Sequence, residues 1–293
     1  MTETPEPTQP APSSPHAAVA APSGYVPGHA VASTRREGGE PTNDVLAVLR
    51  SRRSVRAFTG AHVDDDDLAA ILLATRQAPS SINAEGLSLV VVRERDRIES
   101  LAAAAGGQVQ VATADAVVVF VVDFHRTGLA AARWGTEQVV QDTAEGVLVG
   151  AVDAGIALAT FQAAAHSLGY GTTAIGAIRR DPGRVVELLG LPEHTFPVVA
   201  STIGVPDPER LPRLKPRMPL GSYAMPERYD ADAVTAGTQA YDAELRAWWD
   251  EQGLTEMGTW SQDTSRTYST YYFPRVAATL RAQGFDFRDG PEA

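Results

Sequence analysis

The chain has 293 residues, a formal net charge of −11 and no cysteine. An acidic protein repels nucleic acid and anionic membrane surfaces, so any anionic ligand has to be held by a local group of cations. The lack of cysteine excludes disulfides, thiolate metal sites and cysteine nucleophiles, and any electron transfer therefore requires an imported cofactor.

The first 41 residues are rich in proline, alanine, serine and glycine and show little hydrophobic periodicity. Such a segment cannot bury enough apolar surface to offset the entropy lost on ordering. We therefore predict a disordered tail over residues 1–41 and one domain over residues 42–293. No basic stretch followed by an apolar run stands at the start, so no secretion signal is predicted and a cytoplasmic location is expected.

Two helices and two strands are predicted in the first half of the domain. Thr42 and Asn43 can cap a helix that ends at an arginine-rich run, and Asp64 can cap a second helix that Pro79 stops. The apolar runs 87–92 and 117–122 are typical of buried strands. Four aspartates at 64–67 favour a helix N-terminus over a metal site, and no metal is predicted.

The longest predicted helix covers residues 145–168. Its residues leave almost no polar face, so it needs packing partners on every side. Asp153 and Gln162 would be costly in lipid, which favours a buried helix of a soluble protein over a membrane span. Strands are predicted over 172–175 and 196–203 with a helix over 182–189 between them, followed by two C-terminal helices near 231–252 and 263–283.

The arginine-rich run carries the strongest functional signal. Arg52, Arg53 and Arg56 lie within five positions, with Ser54 between them. Guanidinium groups supply planar, charge-assisted donors that suit a phosphate and an electron-rich ring. Taken alone, however, the arginines could equally be a cationic helix C-terminus. Lys215, the only lysine beside 24 arginines, is separated from Arg217 by a proline.

Two other segments have residues that suit a planar ligand. Ser80, Ser81 and Asn83 follow Pro79, although a simple turn explains them as well. Gln108 follows two glycines, which allow close approach of the backbone, and its amide can pair with alternating donors and acceptors on a ring. An ordinary loop is the alternative for this second segment.

These segments, in this order, resemble the flavin-dependent nitroreductase superfamily. The similarity is to its NADPH-dependent flavin and nitro reductases of the oxygen-insensitive major type, and it runs from about Asp44 to about Phe285. Besides the RRSVR run at 52–56, it includes GGQ at 106–108, SLGYG at 167–171, IG at 175–176, LLGLP at 188–192, KPRMP at 215–219, ERY at 227–229 and TWS at 259–261.

The resemblance implies an α+β fold with a central mixed sheet flanked by helices, in an intertwined homodimer. It implies FMN as the cofactor and NADPH or NADH as the reductant. Hydride would pass to FMN and then to a small electron-poor acceptor, such as a nitroaromatic, a quinone or free flavin, in a ping-pong mechanism. Because the flavin performs this chemistry, no side chain is assigned as a catalytic acid or base. No nucleic acid or membrane partner is expected.

The resemblance also implies cofactor-binding roles. The early arginines and serine would hold the phosphate, and Arg56 would reach the pyrimidine edge, where it could place positive charge near N1 and O2. Lys215 and Arg217 would close over the phosphate. The full implied set is Arg52, Arg53, Ser54, Arg56, Ser80, Ser81, Asn83, Gln108, Ile175, Gly176, Lys215 and Arg217.

The chain departs from the family pattern at two places. Glu85 and Gly86 stand where many relatives have glutamine followed by a bulky residue or proline. The segment 256–258 has no arginine, whereas NADPH-specific relatives use arginines there to bind the 2′-phosphate. Acceptor and coenzyme preference therefore stay open. A specialised flavin dehydrogenase, oxidase or reductive dehalogenase in biosynthesis is one alternative, and a non-catalytic FMN-binding module is another.

Overall fold

The computed structural model describes residues 43–288. The chain divides into two units, Met1–Ala47 and Val48–Ala293. In the first unit, the Asn43 side chain accepts a hydrogen bond from the amide of Leu46 at 2.9 Å and so caps the start of a helix. The tail predicted over residues 1–41 and the capping role of Thr42 lie outside the described residues.

The described residues form helices and four strands. The helices are α1 Asp44–Ser51, α2 Asp65–Thr75, α3 Arg95–Ala104, α4 Val109–Ala112, α5 Phe124–Arg133, α6 Ala144–Ser167, α7 Pro182–Leu189, α8 Leu220–Tyr223, α9 Ala231–Asp250, α10 Trp260–Tyr268 and α11 Val276–Ala282. The strands are β1 Leu87–Val92, β2 Ala116–Asp123, β3 Gly171–Ile175 and β4 Thr195–Gly204. All four predicted strands are present, whereas α3, α4, α5 and α8 were not predicted.

The strands form one sheet in the order β1-β2-β4-β3. The predicted α+β class with a helix-flanked sheet is confirmed, but the sheet is antiparallel rather than mixed. The segment 93–115 joins β1 to β2, and the segment 176–194 joins β3 to β4. Each segment leaves and re-enters the sheet at the same end of the strands, as a connection between antiparallel neighbours does. Within residues 43–288, parallel pairing is limited to isolated bridges, such as that of Ser54 with Thr172.

β2 lies at the centre of the hydrophobic core, and its side chains alternate between two faces of the sheet. Val117, Val119 and Val121 pack with residues of α3 and α7. Ala116, Val118 and Phe120 pack with residues of α2 and α6. The sheet is therefore covered by helices on both faces, as expected for a fully buried strand.

α6 packs on the sheet with one face and exposes apolar residues on another. The rings of Phe120 and Phe161 meet edge to face with centroids 5.8 Å apart. Among the described helices, α6 is long and apolar enough to cross a membrane, by length and composition only, and 33% of its most apolar window is buried inside the chain. Leu148 is 61% exposed and Val152 58% exposed. The sequence predicts packing on every side of α6, whereas the single chain packs against only one face of it.

The C-terminal helix predicted over residues 263–283 is wrong in both position and continuity. Thr259 and Gln262 form a capping box, and the helix therefore begins at Trp260 and ends at Tyr268. Pro274 lies in the following segment, where it lacks an amide hydrogen and restricts the residue before it. A separate helix then begins at Val276.

Candidate functional site

The arginine segment, residues 52–56, runs along the outer edge of β3. The amide of Val55 donates to the carbonyl of Thr172 at 2.9 Å, and the hydroxyl of Thr173 donates to the carbonyl of Val55 at 2.5 Å. Val55 is only 5% exposed. A Cβ at Gly171 would lie 2.7 Å from Cγ1 of Val55, so only glycine permits this close approach. β3 therefore fixes the position of the arginines.

Two side chains hold the 212–217 segment against the arginine segment. Nη1 of Arg53 donates to the carbonyl of Pro212 at 3.1 Å, and its Nε donates to the carbonyl of Ser51 at 3.3 Å. The hydroxyl of Tyr241, on α9, donates to the carbonyl of Pro216 at 3.1 Å. These bonds bring the late cationic pair to the early arginines, although some 160 positions separate them in the sequence.

Two cavities contain the cations that are brought together. The first, called the arginine cavity here, has a volume of about 820 Å³, and the second, the tyrosine cavity, of about 910 Å³. Arg52, Lys215 and Arg217 line both cavities. The arginine cavity adds Arg53, Ser54, Arg56, Trp248 and Trp249, and the tyrosine cavity adds Tyr223, Tyr241 and Trp260. Six predicted site residues thus meet in one place.

Four of these residues, Arg52, Arg56, Lys215 and Arg217, form a cationic cluster. Burial lowers the pKa of Arg52, and the charge of Arg217 lowers it further. Burial, Arg56 and Arg217 lower the pKa of Lys215, and Asp263 acts in the opposite direction. Within residues 43–288, none of the four forms an ion pair with a carboxylate. Uncompensated positive charge of this kind suits a multiply charged anion such as a phosphate group.

His166 lies beside the cluster, although it is not among the site residues predicted from the sequence. Its Nε2 is 3.0 Å from the hydroxyl oxygen of Ser51. Burial lowers the pKa of His166, and the charges of Arg53 and Arg52 lower it further. Its imidazole is therefore neutral near neutral pH and adds no positive charge to the cluster. Only the folded chain brings this residue close, since no ligand spacing marks it in the sequence.

Trp248 and Trp249 were also missed. Nζ of Lys215 lies 4.8 Å from the centre of the Trp249 ring and 6.0 Å from that of the Trp248 ring. Cations are attracted to the faces of indole rings at such distances. The signal in the sequence is an adjacent pair of tryptophans in a chain that has four in all.

Ser80, Ser81 and Asn83 lie elsewhere in this chain. The amide of Ser81 donates to both carboxylate oxygens of the buried Asp153, at 3.2 and 3.3 Å. Ser80 and Ser81 line a cavity of about 420 Å³ along the exposed face of α6, and Ser80 also lines one of about 410 Å³ with Glu85. Asn83 is exposed and has a left-handed backbone with φ of 57°. The single chain does not bring these residues to the arginine cavity.

Gln108, Ile175 and Gly176 line none of these four cavities in the part of the chain that the structure describes. The side-chain oxygen of Gln108 accepts a hydrogen bond from the side-chain Nε2 of Gln110 at 3.0 Å. Ile175 is 2% exposed. A Cβ at Gly176 would lie 3.2 Å from Nη2 of Arg179, so the glycine leaves room for that guanidinium. The predicted ring contacts are therefore not assembled around the arginine cavity.

The segment 256–258 is held by the guanidinium of Arg246. Arg246 donates to the carbonyls of Met257 and Leu254, the second at 2.9 Å, and to Asp250 at 2.8 Å. Arg266 donates to Asp263 at 2.7 Å. Glu256 is exposed. The cations nearest this segment in the sequence are thus already engaged within the protein.

Comparison with known proteins decides the family. Residues 49–205 match the model of the nitroreductase family, and residues 215–288 match the model of the C-terminal domain of that family. The chain belongs to the nitroreductase family. The resemblance predicted from its motifs is confirmed, and so is the nitroreductase-like fold. Membership of this family indicates a soluble protein that acts on small molecules.

Three similar proteins illustrate the relationship. An FMN reductase (NAD(P)H) of Bacillus subtilis is 37% identical over 246 residues, which cover 83% of this chain and 98% of that protein. The structure of B. megaterium NfrA2 has a TM-score of 0.81 and 36% identity, over 85% of this chain and 100% of that one. The NADPH:FMN oxidoreductase from Vibrio harveyi, complexed with NAD+, has a TM-score of 0.73 and 30% identity, over 84% and 100%.

Proposed function

We propose that this protein is an FMN-dependent NAD(P)H oxidoreductase whose acceptor is a small electron-poor molecule such as a nitroaromatic, a quinone or free flavin. The cationic cluster carries the proposal, because four cations without a carboxylate partner in the described residues fit the phosphate of FMN. Relatives that are named FMN reductase and NADPH:FMN oxidoreductase support the choice of ligand. A cytoplasmic location completes the proposal.

FMN, when bound, supplies hydride transfer between the nicotinamide and the acceptor, in a ping-pong order. The residues of the chain bind FMN and orient its ring. Arg52, Ser54, Lys215 and Arg217 hold the phosphate, and Arg56 places positive charge near N1 and O2 of the ring. Arg53 supports them, since its bonds to the carbonyls of Pro212 and Ser51 fix the two cationic segments to each other.

The homodimer is part of the proposal. A second copy packed on the exposed face of α6 would cover Leu148 and Val152 and would also cover the cavity that Ser80 and Ser81 line. Ser80, Ser81 and Asn83 would then complete a site with the arginines of the other copy. Light scattering is expected to give twice the 31.1-kDa mass of the chain, and the mass of a single chain would contradict the dimer.

Contacts with the flavin ring rest on the family resemblance. We propose Asn83, Gln108 and the backbone of Ile175 and Gly176 for this role. The arginine cavity, which suits the phosphate end, does not include these residues. The ring end of the site therefore depends on an arrangement beyond the single chain, which a structure of the dimer with FMN would test.

Coenzyme use offers a sharp test of the proposed activity. With menadione as acceptor at low salt, kcat/KM for NADH is expected to lie within about tenfold of that for NADPH, a difference of about 1.4 kcal/mol. Glu256 would repel a 2′-phosphate, and Arg246 and Arg266 are engaged elsewhere. In Met257→Arg, the preference for NADPH is expected to rise.

The contrary outcomes of this test are distinct. A preference for NADPH of a hundredfold or more would show that other cations bind the 2′-phosphate. A protein that neither binds FMN nor oxidises either coenzyme would exclude the proposed activity. Bound FMN without turnover would point to a flavin-binding module.

A specialised flavin enzyme of biosynthesis is the second candidate, favoured by the position of Glu85. Its side chain is exposed, its backbone is left-handed with φ of 53°, and it lines the cavity of about 410 Å³ together with Ser80. Arg126 fixes this turn through a hydrogen bond to the carbonyl of Glu85 at 2.9 Å. Metabolite profiling of a deletion strain distinguishes a dedicated substrate from general electron acceptors.

A further inference from the structure

We propose that Trp249, supported by Trp248, is a positioning residue that holds the ammonium group of Lys215 at the phosphate end of the arginine cavity. The inference rests on the proposed function, because the ligand in question is the phosphate of FMN. It concerns a pair of residues on α9, outside the motifs that identify the cofactor site.

Lys215 needs such a contact because its charged neighbours repel it. Burial lowers the pKa of Lys215, and the charges of Arg56 and Arg217 lower it further. Asp263, whose charge opposes them, is already bonded to Arg266 at 2.7 Å. A lysine side chain has a flexible four-carbon stem and a strongly hydrated head. Without an attractive partner, its ammonium group would turn away from the cluster into solvent.

The indole pair supplies that attraction. Nζ lies 4.8 Å from the ring centre of Trp249, within the range of a favourable cation–π contact, and 6.0 Å from that of Trp248. The two rings pack against each other with centroids 4.5 Å apart. Nε1 of Trp249 is buried and has no hydrogen-bond partner within residues 43–288, so no hydrogen bond of that group accounts for the orientation of the ring.

α9 contacts the 212–217 segment at two points. Tyr241 and Trp248 are seven residues apart, close to two helical turns, and therefore lie on the same side of the helix. Tyr241 binds the carbonyl of Pro216, and the tryptophans contact Lys215 beside it. The helix thus fixes both the backbone of the segment and the head group of its lysine.

Comparison of FMN with riboflavin isolates the phosphate in the test. Equilibrium dialysis of the full-length protein gives the dissociation constants of riboflavin and FMN, and their ratio is called the advantage of FMN. Trp249→Leu is expected to reduce this ratio by about three- to thirtyfold. Its affinity for riboflavin should stay unchanged. Trp249→Phe, which keeps an aromatic face, should retain most of the advantage, and Trp134→Leu, at a residue that is 85% exposed, is the matched control.

A double variant tests whether Trp249 acts through Lys215. Lys215→Met alone should reduce the advantage of FMN, and Trp249→Leu should add nothing to it. The inference would be overturned if Trp249→Leu reduced the advantage of FMN equally in wild type and in Lys215→Met. A lower dissociation constant for FMN in Trp249→Leu would overturn it as well. If wild-type protein binds FMN no better than riboflavin, the proposed phosphate site itself is wrong.

Lysine NMR provides a second readout, since the chain has a single lysine and ¹³Cε labelling gives one side-chain signal. In the free protein, the ring currents of the indoles are expected to shift this signal upfield, and Trp249→Leu should return it toward the position of a free lysine. Added FMN should raise the pKa read from this signal in wild type, and by less in Trp249→Leu. An unshifted signal in wild type would exclude the ring contact.

Discussion

Simultaneous replacement of Lys215 and Arg217 by methionine is expected to weaken FMN binding at least about a hundredfold. A hydrogen bond to a charged group contributes about 1.5–3 kcal/mol, and two such contacts to one phosphate are lost together. Methionine keeps most of the apolar stem, so the change removes charge more than packing. The measurement is the dissociation constant of FMN, and riboflavin, which has no phosphate, should bind with little change.

The same variant should be more stable than wild type when FMN is absent. The folded protein lowers the pKa of Lys215, so the unfolded chain binds this proton more tightly. Stability of the FMN-free wild type therefore rises with pH between the lowered pKa of Lys215 and its ordinary value of 10.5, and the full penalty applies below the lowered pKa. Removal of the charge removes that penalty. The expected result is a higher Tm without FMN and a smaller increase in Tm when FMN is added.

The matched control replaces Arg133 and Arg210 by methionine. Both side chains are exposed, and the net charge changes by the same amount. FMN affinity should stay within about threefold of wild type, because neither arginine lines the two cavities and exposed charges are screened. If this control weakens FMN binding as much as the cluster variant does, the overall charge of the protein, rather than the cationic cluster, governs binding.

Gly171→Ala is expected to lower the free energy of unfolding by about 1–3 kcal/mol and to weaken FMN binding as well. The new Cβ would lie 2.7 Å from Cγ1 of Val55, whose side chain is stiff and buried. The conflict can be relieved only by moving the arginine segment away from β3. Chemical denaturation and FMN titration measure the two effects.

Two further variants show whether the contact with Val55 is the cause. Gly221→Ala makes the same substitution where nothing lies within 4 Å of the added atom, and its stability should be close to that of wild type. Val55→Ala combined with Gly171→Ala should recover part of the loss, since the smaller side chain leaves room. No recovery in the double variant would mean that the glycine is required for another reason.

Local patterns predicted most of the secondary structure. The uninterrupted apolar runs of β1 and β2 and the helix between Pro182 and Gly190 are determined by residues within the elements themselves. The C-terminal break was missed even though Thr259 and Gln262 carry the spacing of a capping box. The unpredicted helix α5 buries a single residue, Phe124, so it contributes little to the core that sequence reasoning looks for.

The candidate site was less accessible to sequence reasoning, because its geometry depends on distant residues. The composition alone points to Lys215, yet only the fold shows that Trp249 faces it and that Arg53 binds the carbonyl of Pro212. Conversely, the position of Ser80 beside the arginines was implied by the family and is not formed within one chain. Contacts that span the chain leave no periodic signal for a sequence to show.

The attachment of the arginine segment to β3 has a consequence for solubility. β3 is the last strand of its sheet, and an uncovered edge strand presents free amide and carbonyl groups to which another chain can pair. Val55 occupies one of these groups, because its amide donates a hydrogen bond to the carbonyl of Thr172, and its own carbonyl accepts a further hydrogen bond from the side-chain hydroxyl of Thr173. The segment that gathers the cations therefore also protects the sheet from edge-to-edge aggregation, and selection against aggregation would preserve its backbone conformation even in a descendant that had lost its ligand.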